Sequence, residues 1–89
     1  MKYKHTLKVL LVEDSQFDRR MLESMLTESS SSISFLKSSN TLSQGIELLQ
    51  QYKFDVVILD LNLSDSQGEE TLVRLTNKHP SVAIVINTG

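Results

Sequence analysis

Apolar positions fall along this chain in two spacings. Val9-Leu10-Leu11-Val12, within Lys8 to Glu13, and Val56-Val57-Ile58-Leu59, within Asp55 to Leu59, are unbroken aliphatic runs; Val82-Ala83-Ile84-Val85-Ile86 is a third. Runs of this length without alternation suit parallel strands covered on both faces. Ile33 and Phe35 alternate with Ser34 before Lys37, which predicts a shorter strand nearer the sheet's edge.

Between the runs the spacing becomes helical. Phe17, Met21, Leu22, Met25 and Leu26 form one stripe, with Arg19, Arg20, Glu23 and Glu28 off it, so an amphipathic helix is expected to bury that stripe, methionines included, in the core. Ser15 with Asp18 opens this helix as a capping pair, and the run Ser29 to Ser32 ends it in a surface loop. Thr41 with Gln44 caps a second helix bearing Leu42, Ile46, Leu49 and Tyr52, despite Gly45 in its interior. Residues 60–68 are rich in polar turn formers and predict a loop. Glu69 to Lys78, with Leu72, Val73 and Leu75, predicts a third helix, capped by Ser66 and Glu69 and closed by Pro80. Strand and helix alternate three times before a last strand. Right-handed crossovers make this an α/β fold with a doubly wound parallel sheet.

Size and charge narrow the possible roles. Eighty-nine residues make one small domain, and a formal net charge of -2 gives no broad basic field for nucleic acid. No cysteine is present, which removes disulfides and thiolate metal sites and suits a reducing, cytoplasmic setting. No stretch reaches the roughly 18 apolar residues of a membrane span, so a soluble, unprocessed chain is expected. His5 and His79 lack a partner at zinc-ligand spacing and read as surface or packing residues.

Candidate chemistry gathers where two apolar runs end on acids, Glu13-Asp14 and Asp60. Ligands of parallel sheets sit outside the strands' carboxyl ends, so the three carboxylates are expected to share one mouth. Crowded carboxylates repel, and a hard oxygen-liganded cation, Mg²⁺, is the economical remedy. Asp60 stands alone at its strand tip among short polar neighbours and is the candidate nucleophile toward a phosphoryl group. Glu13 and Asp14 suit the metal, and the backbone carbonyl of Asn62 is a further candidate ligand. Thr88 ends the last strand with a hydroxyl able to donate to a phosphoryl oxygen, beside the small Gly89. Asp65 reads as a loop or helix-entry acid.

Leu11-Val12-Glu13-Asp14-Ser15, Asp55-Val56-Val57-Ile58-Leu59-Asp60-Leu61-Asn62-Leu63 with Asp65 and Gly68, and Thr88-Gly89 together resemble the receiver domain of two-component response regulators, over nearly the whole chain. The resemblance implies a flavodoxin-like fold of strand order 2-1-3-4. It implies that Asp60 takes phosphate from a histidine kinase or phosphotransfer protein, that Glu13, Asp14, Asp60 and the Asn62 carbonyl hold Mg²⁺, and that Thr88 is the switch hydroxyl controlling a partner or an output domain in a parent chain. Ser64 stands where the family commonly has proline. The family's fifth strand with its lysine, and two flanking helices, find no counterpart before Gly89, so the domain reads as incomplete at its carboxyl end. Lys53 and Lys78 are expected at the opposite side of the sheet from Asp60. An uncovered fourth strand, Val82 to Ile86, is expected to promote self-association.

Two other readings compete. A degenerate receiver would bind proteins independently of phosphorylation. An aspartate-nucleophile phosphatase of the haloacid dehalogenase type resembles the loop after Asp60, but Asn62 occupies the place of its general acid and cannot exchange protons near neutral pH. A phosphoacceptor signalling domain, not an enzyme, is the expectation.

Overall fold

A computed structural model describes residues 6–29 and 32–87. Its strands are β1 (Leu7–Val12), β2 (Ile33–Ser39), β3 (Val56–Asp60), β4 (Asn62–Leu63), β5 (Ser66–Gln67) and β6 (Ala83–Asn87). The four long strands pair in parallel, as the alternating spacing predicts, in the order β2-β1-β3-β6 that the receiver resemblance implies. Val9 lies opposite Val56 and Val12 opposite Leu59, while Val57 lies opposite Ile84 and Asp60 opposite Asn87. Lys8 and Asp55 lock the start of this register: the Asp55 amide donates to the Lys8 carbonyl at 2.8 Å, and the Lys8 amide donates to Asp55 Oδ2 at 2.8 Å.

Side-chain alternation splits β1 between two layers. Leu10 and Val12 join Val57 and Leu59 in a core closed by Leu42 of α2 (Leu42–Gln51), Leu75 of α3 (Glu69–Lys78), Phe54 and Leu63. Val9 and Leu11 point to the other face and are also buried. That face belongs to α1 (Gln16–Ser29), whose Ser15 cap accepts the Asp18 amide at 3.3 Å as expected. Thr41 caps α2 by accepting the Gln44 amide at 3.1 Å, again as expected. Gly45 has a packing reason: a Cβ there would lie 3.0 Å from Val12 Cγ2 and 3.1 Å from Ser39 Oγ, so its absence lets α2 sit close on β1.

Several expectations need correction. The α1 stripe is not uniformly core: Phe17, Met21 and Met25 are 72%, 48% and 58% exposed, whereas Leu22 and Leu26 are partly buried. Its helix is the only one among the described residues on that face, and β6 beyond it exposes Val85. Val73 of α3 is exposed as well, and the fully buried Thr71 takes the inward position. Neither Ser66 nor Glu69 caps α3. Gly68 does so, at a φ of 65° that favours glycine, while the Ser66 and Thr71 hydroxyls bond each other at 2.7 Å. The expected loop after Asp60 folds partly into the antiparallel pair β4 and β5.

Asp65, in the tip of that pair, reaches across to α2. Its carboxylate accepts the Leu42 and Ser43 amides, each at 2.9 Å, and its carbonyl accepts Arg74 Nη1 at 3.1 Å. Burial works to raise its pKa, but the two amide bonds outweigh it and hold the carboxyl below its usual value. Stability from this cap is present above the unfolded pKa and is lost as pH falls through the folded one. Asp65→Ala is expected to cost about 1 kcal/mol in urea unfolding at neutral pH, with the difference from wild type shrinking in acid.

Candidate functional site

Parallel pairing of β1 with β3 decides where the acids meet. Because Val12 lies opposite Leu59, Glu13 and Asp60 leave adjacent strands at the same end. Glu13 is 3% exposed, Asp60 partly buried and Asp14 exposed, and one carboxylate oxygen from each lies within 4.8 Å of the other two. The acids that the sequence placed at one mouth are therefore together in space.

Each is oriented by neighbouring backbone. The Glu13 amide donates to the Ser39 carbonyl at 3.0 Å, and Glu13 Oε2 accepts the Ser15 amide at 3.1 Å. Arg19 Nη1 donates to the Glu13 carbonyl at 2.9 Å, tying the first turn of α1 to the end of β1. Asp60 Oδ1 accepts the Asn62 amide at 3.0 Å, a local turn that aims the carboxylate.

The grouping strains the ionised state. Burial pushes the Glu13 carboxyl up to about 7; the Ser15 amide opposes this, while a hydrogen bond with Asp60 and the charges of Asp60 and Asp18 add to it. Hard oxygen donors converging at this distance, with no sulfur or imidazole among them, fit a small divalent cation of the Mg²⁺ kind.

The other predicted residues distribute as follows. Asn62 is exposed in β4, one residue beyond the turn from Asp60. Thr88 and Gly89 lie outside the described residues; Asn87, just before them, is the register partner of Asp60. Asp65 serves α2 and takes no part in the acid group. Lys53 and Lys78 line a cavity with Phe54 and Val82, next to the amino-terminal ends of β3 and β6, at the end of the sheet away from Asp60 as expected. The contact of Arg19 with the Glu13 carbonyl and the effect of the Asp18 charge on Glu13 escaped the sequence reading, which placed Asp18 only as the capping partner of Ser15 and Arg19 only off the apolar stripe of α1.

Residues 9–89 match the family model of the response regulator receiver domain. The cell cycle response regulator CtrA of Brucella ovis is 32% identical over 83 residues, covering 93% of this chain and 34% of its own length, and CtrA of Brucella abortus strain 2308 matches equally. The chain thus spans about a third of the length of these curated relatives. Among solved structures, the MaeR response regulator bound to beryllium trifluoride superposes with a TM-score of 0.84 at 24% identity, over 94% of this chain and 68% of that one. The phosphorylated cyanobacterial phytochrome response regulator RcpA superposes with a TM-score of 0.76 at 23% identity, over 91% and 64%. With the parallel order β2-β1-β3-β6 and the acid group at its carboxyl end, these matches establish that the chain belongs to the receiver domain family of two-component response regulators.

Proposed function

We propose that Asp60 is the phosphoacceptor of this receiver, taking a phosphoryl group from a histidine kinase or phosphotransfer protein. The observation that carries the reading is the convergence of Glu13, Asp14 and Asp60 within 4.8 Å at the tips of adjacent parallel strands. An Asp60 carboxylate oxygen attacks phosphorus, the bond from phosphorus to the donor's imidazole nitrogen breaks, and that nitrogen leaves with the electron pair. Glu13, Asp14, Asp60 and the Asn62 carbonyl would hold Mg²⁺, which when bound draws charge from the phosphoryl oxygens. The Asn62 amide keeps Asp60 aimed outward. Thr88, next after the register partner of Asp60, is the switch hydroxyl that donates to the phosphoryl group. The phosphorylated state of RcpA and the beryllium trifluoride bound by MaeR support this choice of chemistry.

In the same reading the domain works in the cytoplasm and its phosphorylation biases a partner or output domain of a parent chain. No helix among the described residues is long and apolar enough to cross a membrane. β6 is a sheet edge with neither charge nor proline within Ala83–Asn87 and with Val85 and Ile86 exposed, so it also offers pairing to a second copy of the 89-residue chain.

Three measurements test these points. Acetyl phosphate with Mg²⁺ is expected to add one phosphoryl group by intact mass, lost in Asp60→Asn and on chelation, with Asp14→Asn needing roughly tenfold more Mg²⁺; unchanged labelling of Asp60→Asn overturns the assignment. In the metal-free protein Glu13 binds its proton more tightly folded than unfolded. The folded state therefore holds more protons between about pH 4.5 and about pH 7, and stability is expected to fall as pH rises through that window. Urea midpoints against pH should show the decline in wild type and a flatter profile in Glu13→Gln. Sedimentation velocity is expected to show mass rising with concentration, and a constant monomer mass would remove the β6 pairing.

A further inference from the structure

The end of the sheet opposite Asp60 concentrates a different chemistry. Leu49, Tyr52, Phe54 and Val82 wall a cavity of about 290 Å³ that also takes in Lys53 and Lys78. An adjoining cavity of about 310 Å³ shares Tyr52 and Lys53 and adds Lys8 and Phe35. Neither is lined by an acidic side chain. The neighbouring acid, Asp55, already accepts the Lys8 amide at 2.8 Å.

The aromatic wall is built rather than incidental. Tyr52 has ring centroids 5.2 Å from Phe35 and 6.2 Å from Phe54, and Lys37 Nζ stands 5.5 Å from the Tyr52 centroid. Tyr52 is nonetheless 40% exposed, so part of this ordered ring remains open to a ligand. In the same cavity wall, His79 Nε2 is buried with no hydrogen-bond partner. Unsatisfied buried nitrogens are uncommon in folded proteins.

Lysines on a surface are ordinarily solvated, and rings at helical ends are ordinarily core. Here two lysines and an ordered aromatic wall border one concavity that also takes in His79, at the end of the sheet opposite the acids. We propose that this cavity binds a small aromatic anion, its ring against Tyr52 and Phe54 and its phosphate or carboxylate between Lys53 and Lys78. The volume sits near the lower limit of small-molecule sites, about 300 Å³, so one ring with one anionic group fills it. Lysine paired with an aromatic face selects for such a ligand over a bare anion, because the ring adds apolar burial that phosphate lacks. The site makes no use of Asp60 and stands whether or not Asp60 is phosphorylated.

The test is an amide NMR titration of the isotope-labelled 89-residue chain with phenyl phosphate, without Mg²⁺. Saturable shifts are expected at Tyr52, Lys53, His79 and Val82. Phenol and inorganic phosphate are each expected to bind at least roughly tenfold more weakly, and Lys53→Gln with Lys78→Gln to weaken phenyl phosphate by a similar factor, the effect of losing charge-assisted hydrogen bonds. Both lysines are exposed, so the fold should survive their replacement. Equal response to phenol would mean apolar contact only, equal response to inorganic phosphate would mean an adventitious ion only, and shifts centred on Glu13 and Asp60 would place the ligand at the other site; each result overturns the proposal. Asp60→Asn is expected to bind phenyl phosphate as wild type does, which separates this site from the phosphoacceptor.

Discussion

The parallel register of β1 on β3 is the constraint from which the site follows. Leu10, Val12, Val57 and Leu59 fill one face of that pair and Val9 and Leu11 the other, all nearly excluded from solvent. Each such side chain contributes about 1.5–3 kcal/mol on burial, and a one-residue slip would exchange the faces and lose that match. The same register delivers Glu13 and Asp60 to one end, where their mutual repulsion and the burial of Glu13 oppose ionisation. Apolar packing thus holds together carboxylates that would separate if left to their own electrostatics.

Downstream of Asp60, polar bonds replace apolar packing as the organising force. The Asn62 amide fixes the carboxylate, the Gly68 amide closes the β4–β5 pair onto the Leu61 carbonyl at 2.6 Å, and the buried Ser66 and Thr71 hydroxyls bind each other. Asp65 then joins this loop to the start of α2, and Arg74 joins it to α3. A change at Asp60 therefore meets a loop bonded to two helices. Under the proposed phosphoacceptor role of Asp60, a phosphoryl group there would sit beside a loop tied by these bonds to the α2 and α3 layer.

The two faces of the sheet are unequally covered. α2 and α3 pack together over β1, β3 and part of β6, whereas α1 faces the other side alone among the described helices. Phe17, Met21 and Met25 on α1, and Val85 on β6, consequently remain open, an apolar strip on a surface otherwise well supplied with charge. The helical spacing of Phe17, Met21 and Met25 is that of a packing stripe.

Aliphatic runs, helix stripes and caps at Ser15 and Thr41 were legible in the amino-acid order because each depends on neighbours within four residues or on strand periodicity. The parallel sheet followed from connection rules and the acids at two strand ends from the apolar runs, while the strand order came with the match of Glu13-Asp14 and Asp60 to a receiver, which depended on residues readable one by one. Other features needed the folded chain. Whether Phe17 and Met25 are covered depends on what lies across the sheet, which a stripe cannot report. Asp65 caps a helix that begins 23 residues before it, and Gly45 is explained by Val12 and Ser39, which approach only when α2 docks. The raised pKa of Glu13 belongs to the same class. Local order set which segments become strands and helices, because backbone preference and burial pattern act over short distances; tertiary contact alone set the protonation, capping and exposure, because these depend on groups that only folding brings near.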